Sequence, residues 1–244
     1  FHHHLPELAQ RFALPENYYE SGIRRYGFHG LSYEYIASVL PGIAGQHTAK
    51  QKVVVAHLGN GASMCALENL QSIDTTMGFT ALDGLPMGTR CGNLDPGVVL
   101  YLQEELKMSP IEVNELLYHR SGLLGVSNLS NDMRELQASD LPSARRAIDL
   151  YVYRIHRELG SLVASLNGID ALVFTGGIGE HSAFIREQVC ARAKWLGLTI
   201  DDEANNRNDL CISAKDSRVS TWVIPTDEEG MIARHTRQLL QTGT

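Results

Sequence analysis

Two glycine clusters have the spacing to hold an anion. Val173-Phe174-Thr175 runs directly into Gly176-Gly177-Ile178-Gly179-Glu180, and another β-branched run ends in His57-Leu58-Gly59-Asn60-Gly61. Residues without Cβ let a ligand lie against the backbone, where successive amide N–H groups can cradle phosphate oxygens. A strand, a glycine-rich turn and a helix in that order is how many folds seat a nucleotide. Both segments also fit ordinary readings, a tight strand-to-helix turn and an Asn-Gly hairpin. Neither spells GxGxxG or a Walker A loop.

Two further side chains suit phosphoryl chemistry. His29 lies in Tyr26-Gly27-Phe28-His29-Gly30, and Arg90 in Met87-Gly88-Thr89-Arg90-Cys91-Gly92. A guanidinium is a permanent fork of N–H donors that can balance charge on a phosphoryl group in flight. An imidazole can donate to the same oxygens. A histidine among aromatics and a loop arginine also fit purely structural roles.

The elements that must carry these groups follow from hydrophobic pattern and turn chemistry. A helix is expected over 33–40, with Ser32 as its cap. Strands are expected over 53–56, 62–67 and 72–77, with Asn60-Gly61 turning the first hairpin through positive φ. A long ordered loop occupies 78–97. Helices follow over 97–106, 111–118, 131–138 and 143–166, then a strand over 171–175, a helix over 184–195, a strand over 219–224 and a helix over 228–240. The domain expectation is one lobe over 1–244: an opening segment and first helix over 1–50, a three-strand meander over 51–77, the loop over 78–97, and helices and strands over 98–244. That order implies an α/β fold with a mixed sheet flanked by helices.

Composition narrows the partners. Among 244 residues, Lys plus Arg is 21 and Asp plus Glu is 28, a net charge of −7. Such a chain has no broad attraction for nucleic acid or an anionic membrane. Four cysteines without CxxC spacing read as free thiols of a cytoplasmic protein. His2-His3-His4 could be native or the remnant of a tag.

Seven segments, in order, resemble the acetate and propionate kinase family: YGFHG, AHLGNGAS, DTTMGFT, MGTRCG, NDMR, FTGGIGE and IPTDEE. The resemblance implies an RNase H-like lobe of the acetate/sugar kinase–Hsp70–actin superfamily. It further implies reversible transfer of the γ-phosphoryl of ATP, with Mg²⁺, to a short-chain carboxylate, giving an acyl phosphate and ADP. His29 and Arg90 match the transition-state residues. His57, Leu58, Gly59, Asn60 and Gly61 match the phosphate loop. Asp132, Met133 and Arg134, with Gly176, Gly177, Ile178, Gly179 and Glu180, match the segments that bind the nucleoside end. Glu228 matches the glutamate tied to magnesium. Phe28 and Ala81 fall in the acyl pocket, where Ala81 stands in place of a proline and widens the expected tolerance from acetate to propionate. The family pairs as a homodimer through this lobe.

The same comparison leads to the expectation that the chain is a C-terminal lobe. The family's N-terminal lobe, with a phosphate loop, a substrate-binding arginine and the catalytic aspartate, has no counterpart here, so the isolated chain is expected to be inactive. The competing readings are a binding or dimerisation module and a different kinase or ATPase of the same superfamily.

Overall fold

Five short strands build one mixed sheet, and each is explained by its side chains. In the computed structural model, which describes residues 1–242, β1 is Lys52–Leu58, β2 Ala62–Glu68, β3 Gln71–Thr75, β4 Ala171–Thr175 and β5 Ser220–Val223. Residues 243 and 244, the end of the expected lobe, lie outside that description. The spatial order is β3-β2-β1-β4-β5. β1, β2 and β3 form the antiparallel meander, while β4 runs parallel to both β1 and β5.

β1 and β4 are central strands and are apolar on both faces, as strands covered on both sides must be. The two-residue alternation divides their side chains between two cores. Val54, Ala56, Leu58, Leu172 and Phe174 pack with the long helix Pro142–Ser165. Val53, Val55, Ala171 and Val173 pack on the opposite face with Tyr33, Ile36 and Leu40 of the helix Gly30–Ile43. His57 follows the parity of Val53 and Val55, so it faces the Gly30–Ile43 helix.

The described helices include Pro96–Glu104, Pro110–His119, Met133–Gln137, Ala183–Arg192 and Glu228–Thr242, near the expected positions. Three local expectations are corrected. Ser32 is not a cap: the Gly30–Ile43 helix is N-capped by His29, which sits at φ 57 in the left-handed region, and Ser32 lies inside the first turn, fully buried. The helix Gly122–Ser127 has no counterpart among the expected elements. It is fixed by tertiary hydrogen bonds, from Leu123 N to Met87 O (2.8 Å) and from Leu124 N to Gly88 O (2.9 Å). Finally, Asn60 and Gly61 turn the hairpin without positive φ, within a three-residue loop closed by Gly59 N donating to Gly61 O at 3.0 Å.

His2 is packed into the fold. It is 7% exposed, with Nδ1 2.9 Å from Ser72 Oγ and Nε2 3.0 Å from Phe28 O. A Cβ on Gly27 would lie 2.6 Å from its ring. The four cysteines Cys65, Cys91, Cys190 and Cys211 are free, and no helix among the described residues is long and apolar enough to cross a membrane.

Candidate active site

Three loops leave the sheet together at the carboxyl ends of the parallel strands, where open α/β sheets bind ligands. His57 pairs with Thr175, so the segments 58–61 and 176–180 depart side by side. Gly176 sits at φ +77, and a Cβ there would lie 2.9 Å from Leu58 O. Only glycine meets both demands. Beyond it, a Cβ on Gly59 would stand 3.8 Å from Gly177 N, while Gly177 itself opens to free space. The glycines of the first hairpin therefore serve close approach rather than an unusual φ.

The 176–180 segment is not an open loop. It forms the helix Gly176–His181, N-capped by Thr175. Glu180 folds back so that Oε1 accepts from Gly176 N (2.8 Å) and from Thr226 N (3.1 Å). Its carboxylate thus ties the β4 and β5 loops together. Gly179 packs against Ala56 O and Leu58 Cβ of β1.

These loops form one wall of a cavity of about 610 Å³, a size typical of small-molecule sites. Gly59, Asn60, Gly177 and Ile178 line one side, and Asp132, Met133 and Arg134 the other. Asp132 caps its helix by accepting from Arg134 N at 2.8 Å and pairs with the Arg134 guanidinium at 2.6 Å. That guanidinium holds the Asp132 carboxyl down at about 2. Asn131, Gln137, His181 and Ser182 also line the cavity and were not expected as site residues. Gln137 Nε2 donates to Ser182 Oγ at 2.9 Å, joining the 133–137 helix to the start of the 183–192 helix. No local pattern announces a contact between residues so far apart in sequence. Asn131 is the first residue of the NDMR motif, a signal that could have found it.

His29 and Arg90 meet beside Gly61. A Cβ on Gly61 would lie 3.2 Å from His29 Nε2 and 3.8 Å from Arg90 Nη1. Arg90 is steadied by Nη1 donating to Ala81 O (3.2 Å) and by a contact to Met87 Sδ (3.4 Å). Its loop is closed from below by Gly122, at φ +60, where a Cβ would strike Met87 O at 2.1 Å. A Cβ on Gly88 would overlap Asn60 Oδ1 at 1.9 Å, so the MGTR and GNG loops interlock.

The His29 ring stacks on His57, with centroids 4.2 Å apart and planes at 19°. His29 Nδ1 lies 2.8 Å from Ser63 Oγ, and His57 Nδ1 2.8 Å from Ser32 Oγ, which also accepts from Thr226 Oγ1 at 2.9 Å. Burial pulls His57 down to about 4. Burial, helped by His57 and Arg90, pulls His29 down to about 3. Both imidazoles are neutral at pH 7, and each can present one N–H.

Phe28 and Ala81 pack against the main core and do not line the large cavity. Glu228 opens the last helix, and Asp227 beside it accepts from Gly230 N at 2.8 Å. No group of three or more His, Cys, Asp or Glu side chains among the described residues is placed to enclose a metal. An Mg²⁺ ion needs no such cage when nucleotide phosphates supply most of its ligands and one or two carboxylates complete the set.

A meander continued by two parallel strands, with loops converging at their carboxyl ends, defines an RNase H-like lobe of the acetate/sugar kinase–Hsp70–actin superfamily. The crystal structure of Porphyromonas gingivalis acetate kinase matches it with a TM-score of 0.91 at 39% identity, over 98% of this chain and 62% of that one. That of a propionate kinase from Francisella tularensis subsp. tularensis SCHU S4 matches with a TM-score of 0.90 at 40% identity, over 96% and 61%. The acetate kinase of Rhodopseudomonas palustris (strain TIE-1) is 64% identical, over 100% of this chain and 62% of its own length. The acetate kinase of Methylocella silvestris is 60% identical, over 98% and 59%. The Acetokinase family model matches residues 1–234. The chain belongs to the acetokinase family. It spans about 62% of the length of the Rhodopseudomonas relative.

Proposed function

We propose that the protein transfers the γ-phosphoryl of ATP reversibly to acetate, and to propionate as well, giving an acyl phosphate and ADP. The observation that carries this reading is the meeting of His29 Nε2 and Arg90 Nη1 at Gly61, next to the cavity that Gly59 and Gly177 share. An adenine nucleotide in that cavity would place its nucleoside between Ile178 and the 132–134 segment, and its phosphates along Gly59, Asn60 and Gly61.

Phosphoryl transfer asks the protein for alignment and charge rather than covalent chemistry. Arg90 carries a fixed positive charge whose free donors can follow the equatorial oxygens as they gain charge. His29 is neutral and offers a hydrogen bond to the transferring oxygens, and the acceptor, already an anionic carboxylate, needs no base to activate it. His57 supports His29 from behind through the ring stack. Glu228 is the residue that would hold Mg²⁺, which when bound neutralises phosphate charge. Phe28 and Ala81 would contact the acyl group, and the alanine leaves room for one more methylene.

Homodimer formation through this lobe and a cytoplasmic location belong to the same reading. The first rests on the family resemblance, and the second on free thiols without paired spacing. Light scattering of the purified protein tests the dimer.

The test of function is a hydroxamate assay on the full-length protein with ATP, Mg²⁺ and acetate or propionate. Acetyl hydroxamate should accumulate in proportion to enzyme. Folded, nucleotide-binding protein that makes none would refute the assignment and favour a pure binding module.

A further inference from the structure

Behind the stacked imidazoles lies a buried chain of hydroxyls. Ser63 is fully buried on β2, directly opposite His57, on the face covered by the Gly30–Ile43 helix. Its Oγ touches two groups: His29 Nδ1 at 2.8 Å and the Tyr33 hydroxyl through a short hydrogen bond. Tyr33 is also fully buried, with its ring against Phe1 and His2. Its hydroxyl has no hydrogen-bond partner besides Ser63 among the described residues.

The protons in this chain can be counted. If His29 carried its proton on Nδ1, it would donate to Ser63, Ser63 would turn its own proton to Tyr33, and the buried phenol proton would have no acceptor among the described residues. If instead Tyr33 donates to Ser63 and Ser63 donates to Nδ1, every buried proton has an acceptor. A buried donor left unpaired costs enough to shift such an equilibrium by about tenfold or more. The second arrangement wins. The phenol cannot escape by ionising, because burial raises its pKa well above the ordinary range.

We infer that Ser63, oriented by Tyr33, is a positioning residue that fixes His29 as the tautomer with its proton on Nε2, the nitrogen facing Gly61 and Arg90. Ser32 does the same for His57: Thr226 donates to Ser32, which leaves the Ser32 proton for Nδ1 and puts the His57 proton on Nε2. Neither Nε2 has a protein partner among the described residues, and neither is sealed from the cleft. Two parallel rings thus offer two N–H donors to one anion. This inference deepens the proposed function, since the anion would be the phosphoryl group in transfer.

The decisive measurement needs no substitution. In the full-length protein labelled with ¹⁵N-histidine, the shifts at pH 7 should show a protonated Nε2 and a bare Nδ1 for His29. A protonated Nδ1 overturns the inference whether or not the protein proves to be a kinase, so the two failures are separable. Ser63→Ala should lower kcat about tenfold, the scale of one lost orienting hydrogen bond, with the nucleotide KM unchanged. Tyr33→Phe, which leaves the Ser63 proton free to reach Nδ1, should lower it less. A Ser63→Ala protein with unaltered kcat, or with a nucleotide KM that rises in step, would remove Ser63 from this role.

Discussion

His29 and His57 stack face to face, 4.2 Å apart, although one caps a helix and the other lies one residue before the end of a strand. Burial keeps both neutral, at about 3 and about 4, and His2, at about 4, shares that condition. The unfolded chain takes up these protons near pH 6.5, and the native state takes them up only well below. Between those limits the unfolded state binds more protons, so stability rises with pH, by up to about 1.4 kcal/mol per unit for each such imidazole. The urea midpoint should fall between pH 7 and pH 5, above the ordinary carboxylate range. A midpoint constant across that interval would show that the rings are not held neutral.

Arg90→Ala should lower kcat by roughly 10²–10³, the usual cost of one donor aimed at transition-state charge. The nucleotide KM should move little, because the cavity that would hold the nucleoside is built from other segments. Steady-state kinetics in the acyl-phosphate-forming direction would show whether Arg90 acts there or only braces Ala81.

Two glycines separate packing from ligand contact. Gly88→Ala puts a methyl onto Asn60 Oδ1 and must displace Asn60 from the cavity wall, so ADP affinity should drop about tenfold or more. Gly177→Ala meets nothing within 4 Å, so its thermal midpoint should match that of the unaltered protein. Calorimetric titration of Gly177→Ala with ADP then reports the ligand alone. Unweakened binding would mean that the nucleotide does not reach Gly177.

Arg186 is fully buried and has no carboxylate partner among the described residues. Its guanidinium makes five hydrogen bonds: to Gly179 O, Glu180 O, Asn205 Oδ1, Asn205 O and Asn208 Oδ1. Burial pulls its pKa down to about 10, so it remains charged at pH 7. Arg186→Met leaves those neutral acceptors buried and unpaired, at about 1–3 kcal/mol for each that finds no new partner, and should destabilise the fold by several kcal/mol in all. Scanning calorimetry should show the thermal midpoint down by about 10 °C. A loss within two degrees would mean that water replaces the guanidinium.

The acyl pocket is open to a direct test. Ala81→Pro restores ring volume and should shift the kcat/KM ratio toward acetate and away from propionate by about tenfold, the scale of one methylene in a fitted pocket. An unchanged ratio would place the acyl group elsewhere.

What the sequence determined by itself was the local chemistry. The apolar runs at 53–56 and 171–175 pointed to buried strands, and the Gly, Arg and His motifs carried the family likeness because their spacing is local. Folding was needed to show why those residues are present. Ser32 has the composition of a helix cap, yet parallel pairing of β1 with β4 brings His57 beneath it and turns its hydroxyl inward. Glu180 follows a glycine cluster like a ligand residue, yet its carboxylate meets the amide of Thr226, which the fold brings beside it. Gly122–Ser127 has no helical signature and takes its form from the Met87 and Gly88 carbonyls. Partners separated by tens of residues leave no periodicity, so the hydroxyl chain behind His29 existed only once the sheet faced its helix.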